Sequence, residues 1–211
     1  NAIETSQGIY IAYNGQPSAT DYDHYVQKYN KTTMLWEPRV KIGKNVGDDH
    51  DQSQLYLLDN NSFGVLYKWY GAGIIFARSN APESVSAWED ISVIQPLHYL
   101  AYPHLIETPN GTWYVFYRHY DFGPPQMVGW EYSISIDEGV TWGAPNTLGV
   151  IEVGVPNQLY ILNDEYDDYS QPGYPRVNFV IEYARALGTR WNETYIELNL
   201  TNLHIYSDSG I

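Results

Sequence analysis

Short runs of aromatic and β-branched residues, several with strict apolar–polar alternation, recur along the chain and are separated by turn-forming clusters. Gly8-Ile-Tyr-Ile-Ala-Tyr13, Tyr25-Val-Gln-Lys-Tyr29, Gln54-Leu-Tyr-Leu-Leu58, Ile74-Ile-Phe-Ala-Arg78 and Trp130-Glu-Tyr-Ser-Ile134 read as strands, because side chains alternate across a pleated sheet. Asp59-Asn-Asn-Ser62 links the third of these to Phe63–Tyr70, and Thr108-Pro-Asn-Gly111 links His104–Glu107 to Thr112–Tyr120. Asn-Gly and Asp-Asn between such runs are hairpin signals. No segment sustains an apolar period of three to four residues, and Ala184–Leu187 offers one helical turn at most. The pattern predicts an all-β protein.

The strands fall into a repeat. Trp36, Trp88 and Trp142 each close a turn after an alternating strand, at spacings of 52 and 54 residues. Four strands per repeat of this length is the size of a β-propeller blade. The expected division is about four blades of four antiparallel strands, at 1–46, 47–97, 98–152 and 153–211. The first copy opens at Gly8, which matches a second strand. Aligning Asp208 with Asp137 places a fourth tryptophan beyond Ile211, so the last copy should stop before its outermost strand. The expected propeller is open at both ends, a fragment of a larger one or part of an assembly, and open sheet edges invite self-association.

The turn before Trp142 carries Ser135, Asp137, Gly139, Thr141 and Trp142 in the pattern Ser-x-Asp-x-Gly-x-Thr-Trp, which resembles the Asp-box of sialidase-like propellers. Asp137 can accept hydrogen bonds from its own turn, Gly139 supplies a positive φ, and Trp142 suits a half-buried gap between sheets.

Composition narrows the function. The formal net charge of −14 argues against nucleic-acid partners, which need basic patches, and against a membrane surface. No apolar run approaches a spanning helix. An anionic ligand would need a local basic exception to this field. The aromatic content of 16% suits sheets first and sugar stacking second. Cysteine is absent, so disulfides contribute nothing. Sequons at Asn30, Asn60, Asn110, Asn192 and Asn199 predict a secreted, extracellular glycoprotein, although Asn, Ser and Thr also populate turns for backbone reasons. The chain opens on Asn1, as a processed product would, and shows no signal peptide. The cluster Asp48, Asp49, Asp51 and the run Asn163–Asp168 offer oxygen ligands for calcium. Neither has EF-hand spacing, so both read as solvated acidic loops, and no metal or other cofactor is expected.

Four stretches between Gly47 and Trp142 resemble the BNR-repeat family that includes seven-bladed polysaccharide lyases of the ulvan lyase type. They are Gly47-Asp-Asp-His50 with Leu55–Leu58; Phe76–Ser79 with Pro82 and Trp88; Ala101-Tyr-Pro103 with Asn110-Gly111 and Val115-Phe-Tyr-Arg118; and the Ser135–Trp142 turn. The resemblance implies β-elimination on a uronate-containing polysaccharide, with His50, Tyr102 and Arg118 as the catalytic set. Arg118 would offset the C6 carboxylate, and His50 and Tyr102 would share the base and acid roles. The family's second histidine is absent from Tyr67-Lys-Trp-Tyr-Gly71, which predicts weak or lost elimination. The other reading is a non-catalytic sugar-binding or fibre-forming module. His98, His104 and His119 read as structural or exposed.

Overall fold

A computed structural model describes residues 2–15, 21–46, 53–69, 73–94, 99–121, 127–152, 157–167, 176–185, 191–200 and 205–207. All regular structure among them is β. The first sheet comprises β1 (Ala2–Glu4), β2 (Gly8–Gly15), β3 (Asp21–Asn30), β4 (Leu35–Trp36) and β5 (Val40–Val46). The second holds β6 (Gln54–Leu57), β7 (Phe63–Trp69), β8 (Gly73–Ser79) and β9 (Trp88–Ile94). The third holds β10 (Tyr99–Glu107), β11 (Trp113–Asp121), β12 (Met127–Ser135) and β13 (Asn146–Glu152). The fourth holds β14 (Asn157–Asp167), β15 (Arg176–Arg185), β16 (Trp191–Asn199) and β17 (Ile205–Ser207). In each of the last three, strands pair in chain order.

The first sheet has five strands rather than the expected four. Both β4 and β5 pair with β3, and the break between them contains Pro38, which lacks the N–H that a continuous ladder would need. Gly8–Tyr13 is a second strand, as read, and β1 supplies the first. At the other end the alignment of Asp208 with Asp137 misplaced the strand. Ile205–Ser207 pairs with β16 and is the fourth strand of its sheet, not the third. Ala184 and Arg185 extend β15 rather than start a helical turn.

The chain divides into two compact units, residues 1–119 with 132–146, and 120–131 with 147–211. In the first unit, apolar layers separate neighbouring sheets. Tyr10, Ala12 and Val26 of the first sheet meet Leu55, Phe63, Val65, Tyr67 and Ile75 of the second. Leu66, Ile74 and Phe76 on the second sheet's other face meet Leu100, Leu105, Trp113, Val115 and Tyr117 of the third. Alternation sorts the side chains, since successive residues of β7 serve opposite layers. Phe76 and Trp113 meet edge to face at 5.4 Å. In the second unit, β14 to β17 form an antiparallel sheet with a register shift between Ile161 and Asn163.

The repeated turns explain the tryptophans. Ser135 Oγ donates to Asp137 Oδ1 at 2.8 Å and accepts the Gly139 N–H at 2.9 Å, while Asp137 accepts the Thr141 N–H at 2.9 Å and its hydroxyl at 2.6 Å. Those bonds hold the Asp137 carboxyl below its ordinary range. Gly139 sits at φ +80°, with its Cα face against Phe76 and Trp113. Trp142 packs on the layer between the second and third sheets and donates Nε1–H to Ser92 Oγ at 2.9 Å. Trp88 packs on the layer between the first and second, donating to the Val85 carbonyl. Trp36 ends the corresponding turn of the first sheet and is 49% exposed.

Candidate functional site

Antiparallel pairing sends the ends of each sheet to opposite sides. One side carries the hairpin turns at 58–62 and 108–112. The other carries the end of β2, the start of β3, the start of β6, the end of β7, the start of β10 and the end of β11. Asp23, His24, Ser53, Lys68 and Arg118 are buried near this second side.

Tyr102, near the start of β10, is half-buried and has φ 54°. The left-handed region is unfavourable for a residue with a Cβ, and a residue before proline is normally driven to extended geometry; Pro103 follows. The strain breaks the alternation of β10, where Leu100 and Ala101 are both buried. Conformations of this kind persist where surrounding packing enforces them, and they concentrate at functional sites. Arg118, near the end of β11, is 2% exposed and lies with its guanidinium carbon 4.4 Å from the centre of the Tyr102 ring, a cation–π pair. The fold thus brings two of the three expected catalytic residues together, with Tyr102 outermost and Arg118 behind it. His50 lies outside the described residues.

A second cation lies against the strand that carries Tyr102. Lys68, at the end of β7, is 2% exposed and places Nζ 4.5 Å from the centre of the Tyr99 ring, three residues before Tyr102. Two buried cations, Lys68 of β7 and Arg118 of β11, lie against tyrosines of β10 and form the local basic exception that a chain of charge −14 needs in order to take an anion.

Sequence reasoning missed His24. It is fully buried on β3, its Nε2 3.0 Å from the Lys68 carbonyl and its Nδ1 2.7 Å from Ser53 Oγ. The carbonyl can only accept, so Nε2 carries the proton and Nδ1 accepts from the serine hydroxyl. Asn14 Oδ1 stands 3.0 Å from both Nδ1 and Ser53 Oγ. The Tyr67 ring lies 5.0 Å away. Burial drives the imidazole down to about 4, so it is neutral at ordinary pH. Nothing in the run Asp21-Tyr-Asp-His24 marked it as buried.

The remaining candidates divide. Asn30, Asn60 and Asn110 all use Oδ1 to accept N–H groups of their own turns, at 2.9 to 3.1 Å, so each has a structural reason to be asparagine. Asn60 and Asn110 are exposed. Asn199 is 1% exposed, an unfavourable position for a glycan on the folded chain. The side chain of Asn192 lies outside the described residues, as do Asp48, Asp49, Asp51 and His98. Asn163–Asp167 belongs to β14, not to an acidic loop. Among the described residues no cluster of His, Asp or Glu could hold a metal. His104 stands edge-on to Tyr56 at 6.5 Å, and both His104 and His119 are half-buried.

Comparison with known proteins places these features. A model for a BNR repeat-containing family member matches residues 6–170. An ulvan lyase of Pseudoalteromonas sp. (strain PLSV) is 25% identical over 160 residues, covering 64% of this chain and 31% of the relative. A solved ulvan lyase bound to -[GlcA(1-4)Rha3S]- superposes with a TM-score of 0.71 at 17% identity, covering 97% of this chain and 52% of that one. The Penicillium chrysogenum alpha-L-arabinanase complexed with arabinobiose superposes with a TM-score of 0.58 at 15% identity, covering 89% of this chain and 59% of that one. The chain spans about a third of the curated relative and half of the solved lyase. Its fold is that of propeller blades.

Proposed function

This chain belongs to the BNR repeat-containing family, and from that membership we propose that it forms part of an extracellular propeller that binds a uronate-containing polysaccharide and cleaves it by β-elimination. The observation that carries the reading is the Tyr102–Arg118 pair, a strained tyrosine backed at 4.4 Å by a buried guanidinium, at positions where the chain resembles the lyase site.

Elimination needs the C5 proton of the uronate to become acidic. A cation near the C6 carboxylate offsets the charge that builds there as the proton leaves. Arg118 supplies that charge from behind the Tyr102 ring, in an interior where charge acts more strongly than in water. A base takes the C5 proton, the electron pair forms the C4–C5 double bond, the C4–O4 bond breaks, and an acid returns a proton to O4. Tyr102, the outermost group, serves in one of these transfers and His50 in the other. Lys68 adds positive charge beside Tyr99 of β10, and the tyrosines offer ring faces to sugars.

The absence of a histidine from Tyr67–Gly71 favours a second reading, in which the site binds the polymer but eliminates slowly or not at all. Tyr102→Phe and Arg118→Ala in the complete protein separate the two. On the catalytic reading, Tyr102→Phe lowers kcat about 100-fold or more, the scale of one lost proton-transfer group, while oligosaccharide binding holds within about threefold. Retained turnover in Tyr102→Phe would remove the tyrosine from the reaction. Binding without turnover in the parent protein would leave the sugar-binding module.

A further inference from the structure

On the hairpin side of the second sheet, away from Tyr102 and Arg118, a cavity of about 480 Å³ opens between the Asn60 turn and the adjoining ends of β8 and β9. Its size falls within the range of small-molecule sites, roughly 300–1,000 Å³. Backbone bonds fix its walls. The Glu83 N–H donates to the Asn61 carbonyl at 2.7 Å, and the Asn80 N–H to the Ala87 carbonyl at 3.1 Å. Ser79 Oγ donates to the Ala81 carbonyl and accepts the Phe63 N–H. Asn61 and Glu83 hold φ 61° and 48°, a left-handed region that asparagine tolerates and glutamate enters only at a cost. Such strain concentrates at functional sites.

The polar side chains lining this cavity are short of partners. Asn60 uses Oδ1 to accept the Ser62 N–H and hydroxyl, while its Nδ2 makes no bond among the described residues. The exposed Asn80 amide and Glu89 carboxylate make none either. Arg78 and Glu89 face each other in register across β8 and β9, yet the guanidinium turns away. Its Nη2 donates to the Glu138 carbonyl at 2.6 Å, with the Glu138 carboxylate at 3.8 Å. Arg78 Nε is buried and unpaired, and a group of that kind in a folded protein calls for an explanation.

The lining mixes donors with acceptors, and Glu89 and Glu138 together more than offset the charge of Arg78. A simple anion gains little there. A ligand whose polar groups each donate and accept can satisfy two amides, a guanidinium and a carboxylate at once, and hydroxyls have that property. Pro82 and Ile91 add apolar wall for a C–H face. We propose that this cavity is a second sugar site, which takes a neutral pyranose, in contrast to the acidic sugar suited to the two cations on the other side. The inference rests on the reading of the chain as carbohydrate-active, and its test reads binding without turnover. The pyranose can come from a neutral residue of the polysaccharide or from a glycan carried by Asn60 itself.

The test uses the complete protein with Tyr102→Phe, so that polymer is not consumed, made in a bacterial host without N-linked glycan. Retardation in native gels cast with a polysaccharide of glucuronate and neutral sugars measures binding. Asn80→Ala and Glu89→Ala change exposed side chains and should weaken retention about fivefold to tenfold, the scale of one lost hydrogen bond. Asp59→Ala, an exposed acid on the same turn outside the cavity, should match the parent. Retention by a homopolymer of glucuronate should be equal in all four proteins, and an equal loss on both polymers would overturn the neutral-sugar assignment. Protein from a glycosylating host separates the two sources. Weakened retention in the glycan-free variants assigns the polymer. A sugar on Asn60 that resists enzymatic release in the parent and yields in Glu89→Ala assigns the protein's own glycan. Equal retention in every variant, with Asn60 bare or its sugar equally labile, would overturn the proposal. A protein with Tyr102 intact that binds polymer and eliminates none would end the lyase reading alone.

Discussion

Acidification should weaken this protein through His24, and by an amount the structure sets. The buried imidazole takes up a proton only at about 4, against 6.5 when exposed. Between those values the unfolded chain binds a proton that the folded chain refuses, so the free energy of unfolding rises with pH there. The contribution is fully present above 6.5 and is lost as the pH falls toward 4. At about 1.4 kcal/mol per pH unit, the loss is about 3 kcal/mol, a large share of a typical margin of 5–15 kcal/mol. His24→Phe removes the titration. It also removes the bonds to Ser53 Oγ and the Lys68 carbonyl, while Ser53 keeps Asn14 Oδ1 at 3.0 Å, at a cost of about 1–3 kcal/mol in all. Urea unfolding of both proteins at half-unit steps from pH 4 to 7.5 isolates the effect, because carboxylates common to both cancel in the difference. The parent should be the more stable at pH 7.5, and the gap should narrow by about 3 kcal/mol on reaching pH 4. Parallel curves, with the gap unchanged across the range, would refute the buried neutral imidazole.

Other outcomes follow from the turns. Gly139→Ala should destabilise by about 3 kcal/mol or more, combining left-handed strain with overpacking, since its Cβ would lie 2.8 Å from Phe76 and 3.0 Å from Trp113. Gly111→Ala, at φ +79° with open space around it, should cost about 1 kcal/mol; equal shifts in denaturant midpoint would contradict that contrast. Asp137 should titrate below the usual carboxylate range in a carbon-detected titration, because Thr141 and Ser135 bond its charged form. If the native source glycosylates asparagine, peptide mapping should find glycan on Asn60 and Asn110 and none on Asn199, which is 1% exposed; an occupied Asn199 would mean that the last blade is modified before it folds.

The all-β class, the hairpins and the Ser135–Trp142 turn were legible because their causes are local. Alternation, Asn-Gly pairs and a Ser-x-Asp-x-Gly spacing each act within a few residues, as the bonds from Asp137 to Thr141 illustrate. The splitting of the outer strand at Pro38 and the fourth strand at Ile205–Ser207 depend on how long each hairpin runs before it turns, which short motifs do not fix. The nearness of Tyr102 to Arg118 was foreseeable from resemblance alone. The positive φ of Tyr102 was not, because a tyrosine before proline carries a local preference for extended backbone. His24 was hidden for a different reason. Its partners Asn14, Ser53 and Lys68 come from three strands' ends far apart in sequence, and a lone histidine among tyrosines and aspartates gives no sign of being buried. Asn60 and Asn110 show the converse: a sequon and a turn cap have the same spelling, and only the bonds from Asn Oδ1 to the following N–H display the second use.

The most direct measurement is the mass and ultraviolet absorbance of oligosaccharides released from a glucuronate-containing polysaccharide by the complete protein. Elimination leaves a C4–C5 double bond that absorbs in the ultraviolet, in fragments one water lighter than hydrolysis would give. Propeller relatives of this fold include an alpha-L-arabinanase, so the chemistry is open to test even though the scaffold is shared. The account predicts absorbing, unsaturated fragments that disappear in Arg118→Ala while the variant remains folded. Saturated fragments, or unsaturated ones released equally well without Arg118, would contradict it.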